Sequence, residues 1–308
     1  MSPFRTILFA SDFSERSREA FRVACSLATE TTTRLFVVHV MEPARPIEEA
    51  CDPAEPEAEA GQTGRDALLE RLRACHVPVR PIDVCYHVRE GVPDEVIVHM
   101  AGEVGADLIV LGTHGRTGLP RLLAGSVAEA VLRRAQCPVL ALRSTELGAR
   151  VTQDIQGILH PTDQSEESRG ALAVARAVAR DLGARLVILH VTLPVETVPG
   201  VIPYDVALRE QHDRLEALRK QLDGPDLKTP VEAMLRRGNI STEILSAARE
   251  SGCNLIVMGT HGRTSLRRLL MGSVAEAVVR GSDCPVLVVR GAVPRPDPAL
   301  TKPAEIAR

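Results

Sequence analysis

A chain of 308 residues is about twice the usual length of one domain, so two domains are expected. Its apolar content of 44% and charged content of 25% are typical of a soluble globular protein and argue against extensive disorder or a fibrous repeat. The net charge of -3 and the scarcity of aromatic residues argue against nucleic acid or an anionic membrane as a partner, because such partners require an excess of Lys and Arg.

Short aliphatic or β-branched runs alternate with amphipathic stretches of helical length, which predicts βαβ units and a parallel sheet. In the first half we predict strands near 5–10, 34–40, 79–87, 107–112 and 138–143, and helices near 14–30, 64–76, 93–104 and 125–136. In the second half we predict strands near 156–161, 185–191, 229–236, 254–259 and 285–290, and helices near 165–182, 204–222, 240–251 and 272–281. Each half is therefore an α/β domain with five strands and four helices.

The two halves are copies of one domain. Residues 107–143 align with 254–290 without a gap, and 26 of the 37 pairs are identical. The Pro-rich segments 41–65 and 192–204 do not match and are predicted to be loops. The boundary falls near 144–155. We expect a first domain over 1–148, a second over 152–291, and a poorly ordered Pro-rich tail over 292–308.

The seven cysteines include no C-x-x-C pair and no Cys/His group at zinc-ligand spacing, so they are interpreted as free or buried thiols. An acid, Asp12, comes before any signal-like apolar stretch develops, and no apolar run approaches membrane-spanning length. We therefore expect a reducing compartment, the cytoplasm, and no membrane partner.

A glycine-rich loop follows the fourth strand of both halves with the spacing G-x2-G-x9-G-S. Glycine at the end of a parallel strand lets the backbone turn sharply, with unpaired N–H groups that suit an anion. The S-x-x-E spacing at Ser126–Glu129 and Ser273–Glu276 predicts a capping box, and hence a helix start where phosphate binds. The alternative is a plain strand–turn–helix connection. The loop is not a Walker P-loop, because it lacks the Gly-Lys-Ser/Thr ending.

Polar residues elsewhere at the predicted site allow two interpretations. Asp12 and Asp163 follow the first strand of each half, at the edge where open α/β sheets bind ligands. A carboxylate there could accept a hydrogen bond from a nucleotide, or it could shape the turn and cap the next helix, and position alone leaves both open. His39 and His190 are predicted to be satisfied residues at the core edge rather than ligands.

These motifs together resemble the universal stress proteins of the ATP-binding subgroup, as a tandem pair, over nearly all of both halves. The most specific elements are the glycine loop and the Pro-Thr-Asp end of the first strand, which the second half matches completely. The resemblance implies two Rossmann-like domains of the adenine nucleotide α hydrolase-like type, each an open five-stranded parallel sheet flanked by four helices. It implies ATP across the carboxyl edge, with ADP and AMP as alternatives and Mg²⁺ or Mn²⁺ held through the phosphates.

The resemblance also assigns residues to the nucleotide. In the second half these are Pro161, Thr162, Asp163, Val191, Gly259, Gly262, Gly272, Ser273 and Val274. In the first half they are Ser11, Asp12, Val40, Gly112, Gly115, Gly125, Ser126 and Val127. The aspartates and the main chain of the two strand-end valines would hold adenine, and the glycines and serines the phosphates. Ala10 replaces the family's proline, so the second site is expected to be the tighter one. Apart from the resemblance, Arg116 and Arg263 in the glycine loops are candidate phosphate partners, with a solvent-exposed loop arginine as the alternative.

The expected function is regulation of a stress response through bound nucleotide, with no catalytic residue and no protein metal ligand assigned. A slow ATPase or nucleotide-dependent transferase, and a scaffold that contacts a partner through its acidic loop over 48–59, are the alternatives. The resemblance implies that the last strands, at 137–140 and 284–287, pair the two domains as an intramolecular pseudo-dimer. A homodimer and a further protein partner stay open.

Overall fold

The computed structural model describes residues 4–28, 32–42, 57–78, 81–113, 125–143, 155–193, 216, 230–260 and 271–290. The first domain contains β1 (Thr6–Ala10), α1 (Glu15–Leu27), β2 (Arg34–Met41), α2 (Glu57–Cys75), β3 (Asp83–Glu90), α3 (Pro93–Glu103), β4 (Leu108–Gly112), α4 (Ser126–Arg134) and β5 (Val139–Leu142). The second contains β6 (Gly157–Pro161), α5 (Glu166–Leu182), β7 (Arg185–Thr192), β8 (Val231–Arg237), α6 (Ile240–Glu250), β9 (Leu255–Gly259), α7 (Ser273–Gly281) and β10 (Val286–Val289).

All ten strands belong to one sheet, in the order β3-β2-β1-β4-β5-β10-β9-β6-β7-β8. Strand neighbours within each domain are parallel, which confirms the predicted five-stranded parallel sheets. Alternate strand residues enter two buried clusters on opposite faces of the sheet: Ile7 and Phe9 belong to the cluster that includes residues of α1 and α5, whereas Leu8 belongs to the cluster that includes residues of α3, α4, α6 and α7. The helix predicted near 204–222 lies outside the described residues except for Glu216.

The two domains meet through their last strands, as the resemblance implies. β5 and β10 pair antiparallel, with Leu140 opposite its own counterpart Leu287 at the centre, and both strands are buried throughout. Because the same residues contribute from each side, the pairing is isologous and generates a pseudo-two-fold axis within one chain.

Two element boundaries differ from the prediction. α2 begins at Glu57, inside the segment predicted to be a loop, because the Glu- and Ala-rich run after Pro56 has high helix propensity. β3 begins at Asp83 rather than near residue 79, and Pro81, which cannot donate to a strand ladder, precedes it. No helix among the described residues is both long and apolar enough to cross a membrane.

Candidate functional site

The chain turns away from the sheet directly after β1 and β6, and a histidine holds each turn. The Thr162 N–H donates to the Leu189 carbonyl (2.8 Å), and the Thr162 carbonyl accepts from Nδ1 of His190 (2.7 Å). In the first domain the carbonyl of Ser11 accepts from Nδ1 of His39 (2.8 Å). The prediction that these histidines are satisfied at the core edge is confirmed, because both hold a backbone carbonyl.

The two aspartates of the site shape these turns. Oδ1 of Asp12 accepts from the N–H (2.9 Å) and the hydroxyl (2.6 Å) of Ser14, and Oδ1 of Asp163 accepts from the N–H of Ser165 (3.0 Å). Ser14 and Ser165 are the N-caps of α1 and α5. The turn role left open by the sequence is therefore present, whereas the capping role belongs to the serines. One oxygen of each carboxylate is engaged in this way.

The residue after each aspartate has left-handed backbone geometry, with φ of 64° at Phe13 and 66° at Gln164. Non-glycine residues in this region cost about 1–2 kcal/mol each and cluster at functional sites. The side chains differ: the Phe13 ring lies 4.3 Å from the His39 ring and 4.5 Å from the Arg71 guanidinium carbon. The backbone of the turn is therefore repeated in both domains while its outer side chains are not.

A buried hydroxyl pair lies beneath the turn of the second domain, in contact with His160. The Ser168 hydroxyl donates to Oγ1 of Thr162 (2.7 Å), and Nε2 of His160 lies 3.5 Å from the Ser168 oxygen. His160 is fully buried, and burial lowers its pKa to about 4, opposed by its hydrogen bond to a carbonyl and by Asp163. The imidazole is therefore neutral near pH 7.

The side chain of His160 makes a hydrogen bond that the next residue, Pro161, cannot make. Nδ1 of His160 donates to the carbonyl of Val257 in β9 (2.8 Å). The register that pairs Leu159 with Ile256 places this carbonyl opposite the main-chain nitrogen of residue 161. Because Pro161 has no N–H, the imidazole supplies the donor that the strand ladder lacks.

The first domain builds the same cluster with a different histidine. Phe9 takes the place of His160, and His76, directly after α2, points its Nε2 at the hydroxyl of Ser11 (3.2 Å). Nδ1 of His76 contacts a carbonyl one turn earlier in α2 (3.1 Å), and Ser17 donates to the Ser11 hydroxyl (3.1 Å). Burial lowers the pKa of His76 as well. Sequence reasoning missed both histidines; a His directly before Pro at a strand end was the signal for one of them.

The glycine loop starts and ends at one point of the sheet. Thr113 donates its N–H to Leu142 of β5 (2.8 Å) and accepts the N–H of Gly125, which lies on the other side of the loop. In the second domain Thr260 likewise accepts the N–H of Gly272 (2.9 Å). These bonds place the starts of α4 and α7 beside the ends of β4 and β9. Four predicted loop residues lie outside the described residues: Gly115, Arg116, Gly262 and Arg263.

The capping-box prediction is wrong at both helices. The N-caps are Gly125 and Gly272, so Ser126 and Ser273 are the first helical residues. The loop-closing bond of each glycine fixes it at the cap position. Glycine has no side-chain acceptor, so the cap residue itself satisfies none of the first-turn N–H groups, and the positive end of the helix faces the loop base.

The strand end next to this helix start has room for a ligand. A Cβ added at Gly112 would meet no atom within 4 Å among the described residues. Uncapped first-turn N–H groups beside such a space are the donors that phosphate oxygens bind. The described residues hold no group of three His, Cys, Asp or Glu side chains that could bind a metal ion. The site therefore fits an anion held by main-chain N–H groups.

Both halves of the chain are similar to one family of known proteins. The model of the universal stress protein family matches residues 3–143 and again 155–290. Universal stress protein Rv2005c of Mycobacterium tuberculosis is 31% identical over 294 residues, 89% of this chain and 94% of that protein. A universal stress protein of Thermus aquaticus is 36% identical over 133 residues, 43% of this chain and 97% of that protein.

The fold also matches a solved structure. The crystal structure of a universal stress protein from Archaeoglobus fulgidus covers 94% of this chain, and this chain covers 97% of that one, with a TM-score of 0.62 and 21% identity. At that identity the match shows a shared fold. The family model, which matches twice, and the full-length relative show that this chain belongs to the universal stress protein family and carries its domain in tandem.

Proposed function

We propose that this protein binds ATP at the carboxyl edge of the sheet in each domain and acts as a nucleotide-responsive regulator in a stress response. One observation carries the proposal. In both domains a threonine at the end of the fourth strand closes the glycine loop, at Gly125 and Gly272, and leaves a glycine-capped helix start beside an aspartate-bearing turn. At one edge of the sheet, the helix N–H groups are hydrogen-bond donors for phosphates, and the aspartate carboxylate is an acceptor for a base.

The proposed roles combine the family resemblance with the chemistry of these groups. Main-chain N–H groups at the starts of α4 and α7 bind phosphate oxygens, and Mg²⁺ or Mn²⁺ is held through the phosphates. Asp12 and Asp163 accept from the adenine amino group, with the main chain of Val40 and Val191 beside them. Since the second domain has the complete Pro-Thr-Asp sequence, it forms the tighter site. The cytoplasmic location and the domain limits expected from the sequence are part of the same proposal.

Binding is favoured over hydrolysis by the state of the buried imidazoles. His76 and His160 each have both ring nitrogens in contact with a partner, a carbonyl on Nδ1 and a hydroxyl on Nε2. A neutral imidazole engaged in this way orients the turn and is not placed to take a proton from water at the phosphates. These two imidazoles therefore offer no general base for ATP hydrolysis.

Calorimetric titration of ATP into the protein and into Gly112→Val and Gly259→Val variants tests the proposal. Space around Gly112 means that a valine there should leave the fold intact while blocking the approach of phosphate. We expect one ATP per domain in the parent and loss of one site in each variant. Absence of ATP binding to the parent, or unchanged stoichiometry in both variants, would show that the glycine loops are not the sites. Melting temperatures of the ligand-free proteins control for folding.

A further inference from the structure

The second phosphate-binding helix is fastened at its far end to the first domain. Arg143, the residue after β5, donates from Nη1 to the carbonyl of Arg280 (2.6 Å) across the domain interface. Arg280 is the penultimate residue of α7. A guanidinium on a terminal carbonyl satisfies one of the acceptors that every helix leaves at its carboxyl end, and it complements the negative end of the helix.

A second contact joins the same helix to α4. Nη2 of Arg280 lies 3.5 Å from Glu129 of α4, and 2.6 Å from Glu276 one turn earlier in its own helix. Arg133 also pairs with Glu129, so this carboxylate joins arginines of both domains. The carboxyl end of α7 is therefore held by first-domain groups from two places, the residue after β5 and helix α4.

The contact made by Arg143 lacks a described counterpart on the other side of the pseudo-two-fold axis. Arg290 follows β10 as Arg143 follows β5. Its Nε and Nη2 atoms are buried and have no hydrogen-bond partner within the part of the chain that the structure describes. The strand pairing at the interface therefore follows the pseudo-two-fold axis, whereas the hydrogen bonding of Arg143 and Arg290 among the described residues does not.

We propose that Arg143 is a positioning residue for the phosphate site of the other domain. α7 is a nine-residue helix, so its two ends lie about 13 Å apart and move as one rigid rod. The hydrogen bond at Arg280 fixes the orientation of the α7 axis. It thereby orients the first-turn N–H groups of α7 toward the base of the glycine loop. This inference rests on the proposed function, since it concerns how the second domain holds the phosphates of its nucleotide.

The test separates phosphate binding from base binding. In a Gly112→Val background, where only the second domain is expected to bind, ATP affinity is measured directly and adenosine affinity by competition. Arg143→Ala should weaken ATP binding about three- to tenfold and leave adenosine binding unchanged, because α7 faces the phosphates. Arg143→Lys, which keeps the charge, should retain most of the affinity. Arg290→Ala is the matched control and should bind ATP as the background does.

The outcomes are distinct. If Arg143→Ala and Arg290→Ala behave alike, or if Arg143→Ala weakens ATP and adenosine equally, Arg143 does not position the phosphate site. If the background protein binds no ATP, the proposed function fails instead. Circular dichroism confirms that each variant is folded, and Arg143→Gln, with the same expected loss of ATP affinity, replaces the alanine variant if that one is not.

Discussion

The two domains end their first strands differently and support the turn beyond in different ways. In the first, β1 and β4 pair over four residues, and Ala10 is still paired with Leu111. In the second, β6 and β9 pair over only two residues, because Pro161 ends the ladder. Each domain nevertheless places one neutral imidazole on a buried hydroxyl pair, from α2 in one case and from the strand itself in the other.

The two domains therefore have the same backbone turn after the first strand, but different side chains hold it in place. Pro161 and His160 belong together, because the proline removes a donor that the histidine replaces. Phe9, Ala10 and His76 form the corresponding set in the first domain. Replacing a residue of one domain by its counterpart in the other, without also replacing its partners, should therefore destabilise the protein, even though the two domains are copies of one sequence.

Acidification should produce the largest effect. The pKa of His160 is about 4 in the folded protein, below its ordinary 6.5, so the unfolded chain binds a proton that the folded chain excludes. Its contribution to the free energy of unfolding is complete above pH 6.5 and is lost as pH falls toward 4, by roughly 3 kcal/mol. Urea unfolding from pH 7 to 4.5 measures the loss. A His160→Phe variant with the same pH dependence would contradict this assignment.

Replacing His160 by phenylalanine, the residue of the first domain, should lower the free energy of unfolding at pH 7 by about 2 kcal/mol, because the Val257 carbonyl loses its donor. Adding Pro161→Ala to His160→Phe restores a main-chain N–H opposite that carbonyl and should recover most of the loss. Urea unfolding of both variants measures this. If the double variant is no more stable than the single one, the imidazole does not substitute for the strand hydrogen bond.

The reverse change should have the smallest effect. Ala10→Pro leaves a carbonyl of β4 without its donor, but proline also lowers the conformational entropy of the unfolded chain, so the net loss in the free energy of unfolding should be about 1 kcal/mol. Ala10→Ser keeps the N–H and serves as the control. A stability of Ala10→Pro equal to or above that of the control would mean that the first domain tolerates the second domain's strand end without a matching histidine.

Much of the fold could be predicted from local pattern. The alternation of aliphatic strands with amphipathic helices predicts the parallel sheets, because it depends on residues close together in sequence. The pairing of β5 with β10 joins residues far apart in sequence and was expected only from the family resemblance. The start of α2 at Glu57 differs from the predicted loop because the helix propensity of the Glu- and Ala-rich run outweighs the Pro-rich composition of the segment before it.

The internal support of the site could not be predicted in this way. His76 meets Ser11 across 65 residues, and His160 meets Val257 across 97, so each contact depends on how the strands register. The helix caps were mispredicted for a related reason. The spacing of Ser126 and Glu129 suits a capping box, but the hydrogen bond from Gly125 to Thr113, which closes the loop, decides where the helix begins.

A crystal structure of the protein with a non-hydrolysable ATP analogue and Mg²⁺ would show whether nucleotide binds at the two strand edges. We expect phosphate oxygens within hydrogen-bonding distance of the main-chain N–H groups at Ser126 and Ser273, with the base beside Asp12 and Asp163, and higher occupancy in the second domain. A nucleotide bound elsewhere, or strand edges left empty at saturating analogue in crystals that leave both edges accessible, would contradict this expectation.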